Sequence, residues 1–174
     1  MSDIIRDAIP DDWLYIDSLR KTEWSALGFI PQDCYLSILH RLPIGGRRRW
    51  TYSKILVAED NGDLTGFAYA SFTNNTARIF QVAVQEDARR LYRASLMVGE
   101  IELEALYRQC HSINVRVAID LEANEFWKAL GYELVDVLTS TWRGRNSAKG
   151  RLLGVYVKHF APLLVGAGGG GGGI

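Results

Sequence analysis

Covalent and metal cross-links have little to work with in this chain. It holds two cysteines, Cys34 and Cys110, and three histidines, His40, His111 and His159, in 174 residues. None of them falls at metal-ligand spacing, so no metal is expected and both thiols read as reduced and mostly buried. No apolar run approaches the ~20 residues a membrane-crossing helix needs. The opening MSDIIRDAIPDD lacks the basic-then-apolar layout of a secretion signal. No membrane partner is expected, and the reading is cytoplasmic. There is no excess of either charge: 20 basic and 20 acidic residues cancel. That excludes a global field steering the chain onto nucleic acid. No repeat of 20–50 residues is visible.

What is present suits one globular domain over 1–160, long enough to bury a sizeable core. The apolar fraction is 48% and the charged fraction 23%. The remainder, 161–174, ends GAGGGGGGI, which has no side chains to bury and maximal backbone freedom, and is expected to be disordered. The cancelling charges are unevenly spread. Arg41, Arg47, Arg48, Arg49 and Lys54 follow one another with no acid between them, as do Arg143, Arg145, Lys149 and Arg151. The stretch GGRRRW reads in two ways. It is an ordinary solvated loop, or Arg47, Arg48, Arg49 and Trp50 grip the phosphates and stack on the base of an anionic substrate, which keeps nucleic acid open as a partner.

Periodicity places the elements. Ile4 to Ala8 reads as a short strand, and Pro10 and Asp11 suit the start of a helix carrying Trp13, Ile16 and Leu19. Ser25 to Pro31 breaks that helix, and Gln32 to His40 forms a second. KILVAE (54–59), 64–73 and 78–84 read as three strands, with Asn61-Gly62 a strong hairpin turn and Asn74-Asn75 another. A long helix follows over 90–109, then a strand over 113–119. A helix from Glu122 to Leu130 comes next, then strands over 133–141 and 152–157. The ~20-residue crossover between the third and fourth of the main strands is what a parallel pair requires.

Two corners carry the chemistry. After Val82-Ala83-Val84 the chain reads Gln85-Glu86-Asp87-Ala88-Arg89-Arg90-Leu91-Tyr92-Arg93-Ala94-Ser95. Arg89, Arg90 and Arg93 cluster where a helix begins, a place that favours anions over cations. The second corner runs from Asp120 through Ala123, Asn124 and Trp127 to Gly131 and Tyr132. Asp120 is either the N-cap of the following helix or a titrating group, two compatible readings.

The element order and these corners resemble the GNAT N-acetyltransferase family over nearly the whole chain. The resemblance implies an α/β (α+β) fold with a mixed, mostly antiparallel sheet flanked by helices. It also implies acetyl-CoA as acyl donor and an amine, small or macromolecular, as acceptor. Members of this fold often dimerise, so a homodimer is open. In the first corner Arg89 stands at the family's Gln/Arg position, Tyr92 at a glycine and Ala94 at the closing Gly/Ala. The resemblance makes Val82, Ala83, Val84, Arg89, Arg90, Tyr92, Arg93, Ala94 and Ser95 cofactor-binding residues, with backbone N–H groups of Gln81 to Val84 holding the acetyl carbonyl. In the second corner Ala123, Gly131 and Tyr132 keep the family pattern. Asp120 replaces the usual Asn and Trp127 the usual Tyr that protonates the leaving thiolate. An indole has no group that titrates near neutrality. Asn124, the displaced amide contact, and Trp127 are then cofactor-binding residues too, and Asp120 and Tyr35 are the catalytic candidates, with Glu23 a second carboxylate. A weaker similarity to the bacteriophage DNA-modification protein Mom, of the same fold, offers base modification as an alternative. The missing general acid offers another, a non-catalytic module that binds CoA or nucleic acid.

Overall fold

The computed structural model describes residues 3–28, 30–41, 52–90, 92–140 and 150–161. The basic run Arg47–Trp50, the segment 141–149 and the tail from 162 lie outside the described residues.

Seven strands form one sheet: β1 (Asp3–Asp7), β2 (Tyr52–Asp60), β3 (Asp63–Phe72), β4 (Thr76–Val84), β5 (Ser112–Ala118), β6 (Glu133–Thr139) and β7 (Leu152–His159). Their order across the sheet is β1-β2-β3-β4-β5-β7-β6. Every neighbouring pair is antiparallel except β4 and β5, the two joined by the long crossover. The β2–β3 hairpin turns on Asn61 (φ 52) and Gly62 (φ 93). Positive φ at both positions matches the right-handed twist of the flanking strands.

Helices α1 (Trp13–Thr22), α2 (Trp24–Leu27) and α3 (Gln32–Leu39) serve one face. There Ile16, Leu19, Tyr35 and Leu39 meet Val57, Phe67 and Tyr69 of the sheet. Helices α4 (Arg93–Tyr107) and α5 (Ala123–Ala129) serve the other. Met97, Val98, Ile101 and Trp127 pack there on Leu56, Ala68, Ile79, Ile113 and Val115. The inner strand β3 is buried from Thr65 to Phe72 because both faces are covered. Each apolar side chain fully removed from water here contributes about 1.5–3 kcal/mol. Among the described residues no helix is long and apolar enough to cross a membrane.

The strands match the sequence expectation to within two residues wherever they are described. Three details differ. The break after α1 begins with a four-residue helical turn, α2, before Gly28 at φ 70 redirects the chain. The long helix starts at Arg93, not Arg90, because Arg90 and Tyr92 both take left-handed backbone, φ 65 and φ 59. The helix after Asp120 starts at Ala123 with Glu122 as N-cap and no side-chain cap bond, so Asp120 is not its cap.

Candidate acyl-transfer site

Strand β4 is irregular on both edges. Against β3 the register steps from Tyr69↔Gln81 to Ala70↔Ile79, so Phe80 enters as the extra residue of a β-bulge. Against β5 the parallel pairing covers only Thr76–Ile79 with Ser112–Val115. On its other edge β5 is paired by β7 over its whole length, Ser112–Ala118. β4 and β5 therefore diverge just where the bulge lies, and residues 81–84 run beside β3 alone. Their β5-facing edge opens into the gap, which is where the sequence placed the backbone donors.

The gap continues into a cleft of about 500 Å³ beside the start of α4. Its walls are Val84, Ala88, Arg89, Arg90, Tyr92, Arg93, Ala94, Ser95 and, across from them on α5, Phe126. The cofactor residues expected from Val84 to Ser95 thus share one cleft. Val82 and Ala83 do not line it; Val82 packs in the α4-side core and Ala83 in the other. The left-handed turn at Arg90 and Tyr92 is the conformation glycine would adopt freely. It precedes the uncapped first turn of α4, whose N–H groups need acceptors. Tyr92 itself is 79% exposed, so its ring does not fill the cleft.

The three arginines are not equivalent. Arg93 is buried, bonding Asp60 at 2.7 Å and the carbonyl of Ala88. Arg89 donates through Nε to the carbonyl of Val84 at 3.1 Å and pairs with Glu23. Only Arg90 of the three is exposed without an ion pair among the described residues. Asp60 and Glu23, distant in sequence, take up the other two charges.

Tyr35 is fully buried. Its hydroxyl donates to Gln81 Oε1, and Gln81 Nε2 donates to the carbonyls of Leu27 and Gly28 at 3.2 and 3.3 Å. Burial pushes the Tyr35 phenol well above its ordinary range. Asp120 is exposed, and both its oxygens accept from Arg151, at 3.0 and 2.9 Å. The hydrogen bond from Arg151 holds its carboxyl below the usual carboxylate range. The remaining Arg151 nitrogen donates to the carbonyl of Ser25 in α2, tying the two sides of the fold together. Asn124 is buried. Its amide donates to the carbonyls of Ala118 and Leu121, and its oxygen accepts from Tyr156. Trp127 is buried edge-on between Phe126 and Tyr132. Asn124 and Trp127 therefore hold the β5–α5 corner in shape and do not reach the cleft.

Sequence reasoning missed Phe126, Ala88 and the side-chain contacts of Gln81, which it named only for its backbone N–H. Phe126 gives no signal beyond its place beside Trp127 on a short amphipathic helix. A lone glutamine inside a strand as apolar as RIFQVAV was a usable signal for a buried polar contact.

The family model described as the acetyltransferase (GNAT) family matches residues 16–132. The chain belongs to that family. Comparison with curated protein sequences gives no match. Among solved structures, Ard1 from Thermoplasma volcanium superposes with TM-score 0.74 at 21% identity, covering 92% of this chain and 99% of its own. Arabidopsis thaliana NAA60 in complex with acetyl-CoA gives 0.72 at 13%, covering 91% and 98%. Arabidopsis thaliana Naa50 in complex with the bisubstrate analogue CoA-Ac-MVNAL gives 0.70 at 14%, covering 92% and 100%. At such identities the likeness is one of fold, and it spans both partners almost end to end. The GNAT fold, with its mixed, mostly antiparallel sheet between helices, is thus established for this chain.

Proposed function

We propose that this GNAT chain is an N-acetyltransferase that uses acetyl-CoA as donor and passes the acetyl group by direct attack to the amine of an acceptor. One observation carries the reading. The divergence of β4 from β5 begins at the Phe80 bulge and runs into a cleft floored by glycine-like backbone at a helix start. NAA60 and Naa50, which share this fold, were crystallised with acetyl-CoA and with a CoA-linked bisubstrate analogue.

The residues fit such a donor. The N–H groups of the first turn of α4, with Arg90 beside them, would hold a pyrophosphate. Phe126 and Val84 give an apolar wall for the pantetheine arm. Backbone of residues 81–84, no longer paired by β5, supplies donors for a carbonyl oxygen in the gap. When bound, acetyl-CoA supplies an activated thioester carbonyl. The protein's part is to place it, exclude water and give the amine proton a route. Tyr35 is spent on Gln81 and Asp120 on Arg151, so neither is a ready proton carrier. Glu23 is likewise paired, with Arg89 at the end of β4, so none of the three is assigned the amine proton.

The test uses the purified chain. Calorimetric titration with acetyl-CoA and release of CoA thiol in the presence of a panel of primary amines are measured together. Saturable donor binding and amine-dependent thiol release are expected. Absence of binding at millimolar acetyl-CoA would remove the reading.

A further inference from the structure

On the α1/α3 side of the sheet, Arg78 and Arg116 stand side by side where β4 and β5 begin to part. Arg78 is in register with Asn114, and Arg116 follows Asn114 by two, so all three side chains share one face. Ser71 and Tyr69 of β3 lie on that face too, and Tyr69 belongs to the core cluster around Tyr35. The pair therefore faces the side opposite α4.

Two like charges on neighbouring strands repel unless something lies between them. Neither has an Asp or Glu partner among the described residues. The segments outside the described residues contain no Asp or Glu at all; 42–51 and 141–149 add only Arg and Lys. Among the strands, the nearest acids on this face by register are Glu133 and Asp136 of β6, two strands from β5, about 10 Å away. Asp136 accepts from the N–H of Val137. Arg78 is held in place: its guanidinium stacks 4.6 Å from the centroid of Phe80, which itself stacks on Tyr69. Its Nε is buried and has no hydrogen-bond partner. Burial, and then Arg116, lower Arg78 to about 10, which leaves it charged at neutral pH. A half-buried, oriented guanidinium with a buried Nε–H left unpaired is costly unless a ligand completes it.

Resting on the acetyl-transfer reading above, we propose that Arg78 and Arg116 form a carboxylate-binding site and that the acceptor carries an anionic group close to its amine. Arg78 lies two residues, about 7 Å along the strand, before the bulge residue. The Arg78 guanidinium reaches back over the ring of Phe80, the bulge residue, which shortens that span toward the few ångströms between the amine and the carboxylate of one amino acid. The carboxylate of a free amino acid and the acidic side chain of a peptide's first residue both meet that description.

The experiment measures CoA thiol release from acetyl-CoA with matched acceptors: alanine against alaninamide, and an aspartyl-alanyl peptide amide against its asparaginyl counterpart. In one of the two arms the carboxylate member is expected to exceed its neutral partner about tenfold or more in kcat/KM. Arg116→Gln, at an exposed position, brings that ratio close to one through KM and leaves kcat on the neutral acceptor within about threefold. Arg78→Gln does the same where it folds. Equal rates for charged and neutral acceptors in both arms overturn the site while leaving acetyl transfer standing. Should no amine be acetylated, the Nε–H resonance of Arg78 is followed by nitrogen-15 NMR during addition of N-acetylalanine and of its amide. A saturable shift with the acid alone, lost in Arg116→Gln, is expected, and no shift overturns the site independently of turnover.

Discussion

The hydroxyl of Tyr35 donates to Gln81 Oε1, fastening α3 to β4 one residue beyond the bulge. Gln81 carries the connection on to Leu27 and Gly28 at the end of α2. The arrangement makes Tyr35 a support for the bulge. Tyr35→Phe is expected to cost about 1–2 kcal/mol, because the buried Gln81 oxygen loses its donor. Acetyl transfer should fall by less than about tenfold. Urea unfolding and steady-state rates check both, and a thousandfold loss of kcat with intact stability would instead place the phenol in the chemistry.

Asp120 belongs to a clamp. Its pKa is depressed, so it is already ionised at ordinary carboxylate values and loses its charge only as pH falls below them. It does not titrate between pH 5 and 9. Asp120→Asn should leave the shape of the pH profile of kcat/KM in that window unchanged. It should raise acceptor KM about two- to tenfold, since Arg151 then holds Ser25 alone. A limb that disappears in Asp120→Asn would show the carboxylate acting as base.

Arg90 and Tyr92 share a backbone conformation but not a role. Arg90→Gly keeps the turn and removes the charge, and should weaken acetyl-CoA about 5- to 50-fold, with a shallower salt dependence. Tyr92→Gly relieves left-handed strain and should bind as well as the parent or better. Calorimetry at two salt concentrations separates the two.

Gly66 lets β3 and β4 come together where β4 meets the cleft. A Cβ there would sit 2.8 Å from the carbonyl of Ala83 and 3.2 Å from Met97 Cε. Gly66→Ala is expected to destabilise by about 1–3 kcal/mol and to weaken donor binding through displacement of Val84. Thermal unfolding with and without acetyl-CoA reads both effects.

Burial alone would raise the Asp12 carboxyl, but hydrogen bonds from Arg6 and from the N–H of Ile9, with the Arg6 charge, bring it below its ordinary value. A depressed folded pKa means stability that is present above the unfolded value near 4 and lost as pH falls through the lower folded one. Asp12→Asn should cost about 1–2 kcal/mol at pH 6, given that Arg6 is partly exposed and keeps Glu59. The gap in Tm between variant and parent should close between pH 4 and pH 2.

Strand and helix positions were legible because they rest on local alternation, 3.6-residue spacing and turn residues such as Asn61-Gly62. The cleft was legible from Arg89 to Ser95 because that run is continuous in sequence. What escaped was pairing across distance. Nothing local says that Asp60 will neutralise Arg93, that Glu23 will take Arg89, or that Arg151 will reach Asp120 from 31 residues away. Asp120 and Trp127 sat at the family's catalytic positions, yet one is turned to an arginine and the other is core. A position in a motif does not fix which way its side chain finds its partner.

The order β5-β7-β6 has a consequence for how the molecule is made. As the chain leaves the ribosome, β2, β3 and β4 can zip as neighbouring hairpins. β6 must wait, because its only partner among the described strands, β7, is synthesised after it. The donor cleft takes most of its residues from the earlier part. The strand bearing Arg116 gains its long partner only when residue 159 has emerged. A growing chain can thus hold most of the cleft beside α4 before β5 gains its second neighbour, and on the acetyl-transfer reading proposed above catalytic competence arrives with the last strand.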